Sequence, residues 1–379
     1  MLEKILINEM ECEVKDISKL RRVCLLESHL KRSEPMADDR TKSPYSAFQD
    51  TVSPMDVETI SHWRGQVDVK SPNREISAFS EITTGYQIEK EIGRGGTGIV
   101  FKATQIGLDR KVALKTIRCS GLRAEKYVEQ FRHEAKVVAN LNHPNIVTAY
   151  DFGLSKGQAY FAMELVDGMD AEQLIRECGQ LSEFKAWNII RQVCFALARA
   201  AELNIVHRDI KPSNILLGKA PLGSGLPSNV PMVKVTDFGL ACFKVRESGL
   251  LWHEDDKDEW LTGTPVYMAP ELIASGIADE RSDIYSLGVT AWQFLTGRLP
   301  LDSHSPERIF EEKDRRKSDW LAGASNKLSR RGFQVLKKMC SHDRRARYEN
   351  YNDLIAKIDQ VIDFLAKQAR TETVSRLKF

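Results

Sequence analysis

The chain has 379 residues, 42% hydrophobic and 28% charged, which fits a soluble globular protein holding one large domain or two small ones with ample core. Its formal net charge of +2 argues against bulk attraction to nucleic acid or a membrane surface. Seven scattered cysteines form no C-x-x-C pair, no run of 18 apolar residues exists and the N-terminus lacks a signal-peptide apolar core, so free thiols in a reducing compartment and no membrane span are expected.

In chain order, Leu2, Leu6, Met10, Val14, Ile17, Leu20 and Cys24 recur at three- or four-residue intervals. That helical stripe fits either a docking helix or a weakly structured leader, and Met36 could itself be the translation start. The polar stretch 31–85, with Ser-Pro at 43–44, 53–54 and 71–72, reads as linker. Residues 1–85 are therefore expected to be an N-terminal extension, largely disordered.

From Tyr86 the pattern alternates, and Val, Ile and Phe recur. Segments Tyr86–Ile92, Val100–Gln105, Lys111–Ile117, Ile146–Phe152 and Ala159–Leu165 are expected to be strands. Between the third and fourth, Tyr127, Val128, Phe131, Ala135 and Val138 mark one amphipathic helix. Beyond Asp167 helices dominate: Glu183–Ala201, burying Phe184, Trp187, Ile190, Cys194 and Leu197, then Ser282–Thr296 and Ser329–Cys340. Gly218–Met232 reads as an inserted loop of no structural consequence. A small five-stranded sheet with one helix, followed by a larger helical part, is an α+β, bilobal architecture. The expected domain is 86–366, with lobes 86–163 and 167–366 and a C-terminal tail 367–379.

Gly93-x-Gly95-x-x-Gly98 is a weak signal alone. A dinucleotide-binding turn would need a following helix and an acid about 20 residues on. Here Ile99–Ala103 reads as a strand, and the stretch from Val112 to Arg118 holds no acid. The string His207-Arg208-Asp209-Ile210-Lys211-Pro212-Ser213-Asn214 is far more specific. It is followed by Asp237-Phe238-Gly239 and Met268-Ala269-Pro270-Glu271, and preceded by Val112-Ala113-Leu114-Lys115. In this order the pieces resemble the signature set of eukaryotic-type Ser/Thr protein kinases. The wording of Gly263–Glu271 and Asp283–Gly288 looks most like the bacterial branch. The resemblance spans roughly 86–366 and implies the bilobal protein kinase fold.

The resemblance also implies site roles, for ATP and Mg²⁺ as cofactors. The glycine turn (Gly93, Gly95, Gly98, after Ile92) would bring backbone N–H groups to the ATP phosphates. Val100, Ala113 and Leu216 would sandwich the adenine, Met163 would be the gatekeeper, and Glu164 and Val166 would present backbone groups to the base. These apolar residues are also plain core. Lys115, inside an apolar strand, needs anionic partners: the phosphates and a helix carboxylate, Glu134, with Glu129 the competing candidate off the inward face. Asp209 would accept or orient the substrate hydroxyl proton, and Lys211 would offset charge at the γ-phosphate. Asn214 and Asp237 would hold Mg²⁺. His207, Phe238 and Val138 would align the lobes, Asp283 would brace the catalytic loop, and Glu271 would pair with Arg347.

Lys211 and Thr264 fit Ser/Thr rather than Tyr substrates, and Ser213 before Asn214 argues against strong selection for upstream arginine. Arg208 implies a phosphate on the activation segment, at Thr262 or Ser248. The acidic run Glu254–Glu259 between Trp252 and Trp260 is either a solvated loop or a carboxylate surrogate for that phosphate. The leading reading is an active cytoplasmic kinase acting on protein Ser/Thr hydroxyls, with self-association for autophosphorylation. A non-catalytic scaffold would be expected to have lost Lys115, Asp209 or Asp237, and a small-molecule kinase would lack Ala269-Pro270-Glu271.

Overall fold

The computed structural model describes residues 85–376, apart from 96–97, 119–131, 133–135, 156–157, 239–241, 244–264, 277, 302–305, 318 and 325–327. The extension 1–84, with its helical stripe, lies outside the described residues, as do Ser248, Trp252, the acidic run 254–259, Trp260, Thr262 and Thr264.

Five antiparallel strands open the described chain: β1 (Tyr86–Gly95), β2 (Gly98–Gln105), β3 (Arg110–Arg118), β4 (Ala149–Ser155) and β5 (Gln158–Glu164). They lie in the order β1-β2-β3-β5-β4. Strand alternation splits their side chains between two faces. Tyr86, Ile88, Phe101, Ala103, Val112, Leu114 and Ala162 form one small core. Ala113, Phe161 and Met163 face the other way and join the main core with Val137 and Val138 of the helical stretch 136–139.

Strand boundaries depart from the sequence expectation, most at β1 and at β4, which runs on to Ser155. β1 runs on through Gly93-Arg94-Gly95, which pairs with Val100, Ile99 and Gly98, because ladder bonds need only backbone. Ile146 and Val147 do not begin β4. Ile146 instead forms a parallel bridge with Val235, and the N–H of Val147 donates to the Val235 carbonyl at 3.0 Å.

The second lobe carries small sheets: β6 (Gly168–Asp170), β8 (Ile215–Gly218) and β9 (Met232–Val235) in one, and β7 (Ile205–Val206) with β10 (Cys242–Phe243) in the other. Around them pack α1 (Ala171–Cys178), α2 (Glu183–Glu202), α3 (Pro270–Ser275), α4 (Glu280–Thr296), α5 (Pro306–Arg316), α6 (Arg330–Met339) and α7 (Tyr351–Arg376). The Ser182 hydroxyl caps α2, which buries Trp187, Ile190, Cys194 and Leu197 as expected, while Phe184 is only half-buried. Asp279 and Ser282 form a reciprocal capping box on α4, a helix buried nearly all round. The expected ends of the 329–340 helix are its caps: Ser329 at the N-terminus and Cys340 at the C-terminus.

The segment between β8 and β9 is not inconsequential. Val230 is buried, and the Pro231 carbonyl accepts from Gln192 Nε2 at 3.0 Å, so its C-terminal end belongs to the core. Among the described residues Cys178 and Cys194 carry free thiols, and no helix is long and apolar enough to cross a membrane.

Candidate active site

The site is built where β3, the loop after β7 and the turn after β9 meet. Lys115 shares the inward face of β3 with Ala113 and is only 6% exposed. Its Nζ lies 2.7 Å from Asp237 Oδ1. An ammonium this buried requires a negative partner, and the turn after β9 supplies one. Asp237 reaches it in a left-handed conformation (φ 67°), uncommon for non-glycine residues but one that aspartate tolerates better than most. Its carboxylate remains about one-third exposed, with a side-chain exposure of 34%, and so can also face a ligand. Glu134 and Glu129 lie outside the described residues.

The residues of the loop after β7 form a second cluster. Lys211 Nζ lies 2.7 Å from Asp209 Oδ2. Asn214 Nδ2 donates to the Asp209 carbonyl at 2.8 Å and to Asp209 Oδ2 at 3.2 Å. With its amide N–H₂ turned toward Asp209, Asn214 directs Oδ1 the other way. The Thr236 N–H donates to the Asn214 carbonyl at 3.0 Å, which ties this loop to the residue before Asp237.

The loop's backbone is held from beneath. The buried carboxylate of Asp283 accepts the N–H groups of His207 and Arg208 at 2.8 and 2.9 Å, the bracing expected of it. Burial pushes this carboxyl up, while His207, the two backbone bonds and Arg208 oppose that shift. Arg208 sits at φ 70°, so the two N–H bonds fix an otherwise costly backbone. The His207 Nδ1 accepts the Asp209 N–H at 3.3 Å, which leaves Nε2 as the donor to the Thr236 carbonyl at 3.1 Å. The rings of His207 and Phe238 meet with centroids 4.5 Å apart.

The expected adenine-pocket residues come together in part. Ala113 and Met163 are buried in the main core, and Val100, Val166 and Leu216 pack against it half-buried. Ile92 is 45% exposed and outside that cluster. Gly93 and Gly95 stand in β1 opposite Val100 and Gly98. Gly98 has φ 138°, a conformation that L side chains rarely adopt. The Glu164 carboxylate accepts from Lys234 Nζ at 2.7 Å and from the Thr148 N–H at 3.2 Å, so its side chain is committed to β9 and the start of β4.

The donor set suits Mg²⁺ with phosphate. Asn214 and Asp237 offer hard amide and carboxylate oxygens, and Lys115 and Lys211 each set a cation beside a carboxylate of these two linked clusters. Those two residues would hold the ion. When bound, it would draw charge off the transferring phosphoryl group.

Apart from these clusters, Glu271 and Arg347 form the expected pair, bidentate at 2.6 and 2.8 Å, with the arginine side chain fully buried. The sequence reading did not single out Lys234 or Lys313, both buried or half-buried cations with specific acceptors.

Residues 86–357 match the family described as "Protein kinase domain". The chain belongs to the protein kinase family. Bacterial Ser/Thr kinases are among its relatives, which places it in the bacterial branch of the eukaryotic-type Ser/Thr kinases. It is 34% identical over 282 residues to serine/threonine-protein kinase PrkC of Bacillus subtilis, covering 74% of this chain and 41% of that protein. It is 37% identical over 239 residues to serine/threonine-protein kinase pkn3 of Myxococcus xanthus, covering 62% of this chain and 42% of that protein. Serine/threonine-protein kinase PknL of Mycobacterium bovis is 32% identical over 241 residues, which is 62% of this chain and 55% of PknL. The chain thus spans about half or less of the length of these kinases.

Proposed function

We propose that the chain is an ATP- and Mg²⁺-dependent protein kinase that transfers the γ-phosphoryl group to Ser and Thr hydroxyls of proteins, itself included. The observation that carries this reading is the convergence of Lys115–Asp237 with Asp209–Lys211–Asn214 through the Thr236–Asn214 bond. Asp209 takes the hydroxyl proton as the substrate oxygen bonds to the γ-phosphorus and the bond to the β,γ-bridging oxygen breaks. Lys211 offsets charge on the moving phosphoryl group. Lys115 holds the remaining phosphates. Asn214 keeps the Asp209 carboxylate aimed. Such chemistry is mostly positioning and charge stabilisation.

A cytoplasmic setting, self-association for autophosphorylation and no nucleic-acid ligand belong to the same proposal. The scattered cysteines, with no C-x-x-C pair, support the first, and the near-neutral net charge of +2 supports the last. Residues 1–85 are proposed to be regulatory or docking, and the kinase unit to span 86–366 with a tail 367–379.

The test is to incubate the purified full chain with Mg-ATP and map phosphosites by mass spectrometry. Phosphate on Ser or Thr is expected. Its absence, with a protein substrate such as casein also unmodified, would overturn the reading in favour of a scaffold.

A further inference from the structure

Lys313 is the most anomalous charge among the described residues. It lies in α5, whose sequence is dominated by charged residues, yet it is 2% exposed. Ile309, four residues earlier, is buried on the same face. Lys313 Nζ donates to the backbone carbonyl of Met268 and lies 5.1 Å from the ring centroid of Tyr285 on α4. The other titratable groups around it are Glu271 on α3, Cys340 at the end of α6, and Arg347. None offers a carboxylate of its own to Lys313. Glu271 is taken by both Arg347 nitrogens and by the Ser282 hydroxyl at 3.0 Å. A hydrophobic residue of equal length would suit this site better, since a buried ammonium on one carbonyl is costly. Burial in fact draws its pKa from the ordinary lysine value down to about 7.

What this cation holds gives it a use. Met268 is the last residue before the Ala269 cap of α3, and that cap makes no side-chain hydrogen bond. The stretch Pro265–Ala269 is a turn, closed by the Met268 N–H on the Pro265 carbonyl at 3.3 Å. It is pinned at Tyr267, whose hydroxyl donates to Gln293 Oε1 at 2.6 Å, and next to it Glu271 is fixed by Arg347. Lys313 adds the contact between these two. Tyr267 in this turn lies near enough to Asp209 to feel its charge. We infer that the Pro265–Ala269 turn seats the polypeptide beside the target hydroxyl, and that Lys313, acting through the Met268 carbonyl, is a positioning residue that sets the height of this turn. The inference rests on the kinase reading above, and it adds α5 to the substrate-binding apparatus.

The role separates from ordinary core packing because it places stability and substrate binding in opposition. In the full-length chain, Lys313→Met removes the donor and keeps most of the volume. Thermal midpoint, KM for ATP and KM for a serine peptide are then measured against wild type. The midpoint should hold or rise, KM for ATP should stay unchanged, and KM for the peptide should rise roughly three- to tenfold, as for one lost buried hydrogen bond. Lys313→Gln, which retains an N–H donor, should recover most of the peptide KM. A lowered midpoint in Lys313→Met, an unchanged peptide KM, equal rises in both KM values, or no recovery in Lys313→Gln would each overturn the inference. A wild-type chain that phosphorylates no peptide would fail the kinase reading instead, and the two failures are therefore distinct.

Discussion

The Lys115 ammonium and the Asp237 carboxylate are 122 residues apart in sequence and 2.7 Å apart in space. One comes from the small sheet and the other from the turn after β9, so this pair joins the two lobes at the point where phosphate and metal ion would sit. Because Asp237 keeps 34% of its side chain exposed, losing Lys115 leaves it near water, not stranded in the core. Lys115→Met should therefore leave the thermal midpoint close to wild type while lowering the phosphotransfer rate by roughly 10²–10³-fold, the usual cost of one transition-state electrostatic contact. A large fall in midpoint would show that the pair is chiefly structural.

The Glu271–Arg347 pair behaves in the opposite sense. The guanidinium is fully buried and also donates to the carbonyls of Ser341, Arg281 and His342. Removing its carboxylate leaves a buried charge. Glu271→Ala should destabilise the chain by about 3 kcal/mol, seen as a lower urea midpoint with unchanged slope. A change below about 0.5 kcal/mol, the range of ordinary surface substitutions, would contradict this account.

Stability should carry a pH signature from Lys313. The native lysine loses its proton near pH 7, while in the unfolded chain it keeps it to the ordinary value of 10.5. Between these values the unfolded state binds more protons, so this group's contribution to stability rises with pH. The Lys313→Met variant lacks that rise. Its stability advantage over wild type should be largest below pH of about 7 and shrink toward pH of about 10. An advantage constant or growing over that window would contradict the burial argument.

The extension 1–85 carries linker chemistry, and the first core residue described is Tyr86. A chain beginning at Ala78 should phosphorylate a peptide at a rate within about threefold of full length, a difference below 1 kcal/mol. A folded but inactive truncated chain would place the extension in the catalytic unit.

How far the sequence went depends on what each residue's neighbours contribute. The strands of the first lobe were legible because Val112, Leu114 and Ala113 alternate between two cores. The extension of β1 was not, because glycine has low strand preference and only its pairing with β2 reveals the strand. Ile146 and Val147 announced burial but not their partner, which proved to be Val235. Motif residues were legible one by one, whereas the Lys115–Asp237 and Asp209–Lys211 pairs are tertiary facts. α5 was missed because eight of its eleven residues are charged, a composition that reads as solvent-facing. Its one local clue was Lys313 falling a helical turn after Ile309.

The central claim is that Asp209, aimed by Asn214 and paired with Lys211, works on the hydroxyl of a protein substrate. The most direct test is the initial rate of phosphate transfer from Mg-ATP to a serine peptide by wild type and by Asp209→Asn, with circular dichroism confirming both folds. The account predicts measurable transfer by wild type and a loss of roughly 10²–10⁴-fold in the variant, the range for removing a general base. Transfer by Asp209→Asn at the wild-type rate would contradict it.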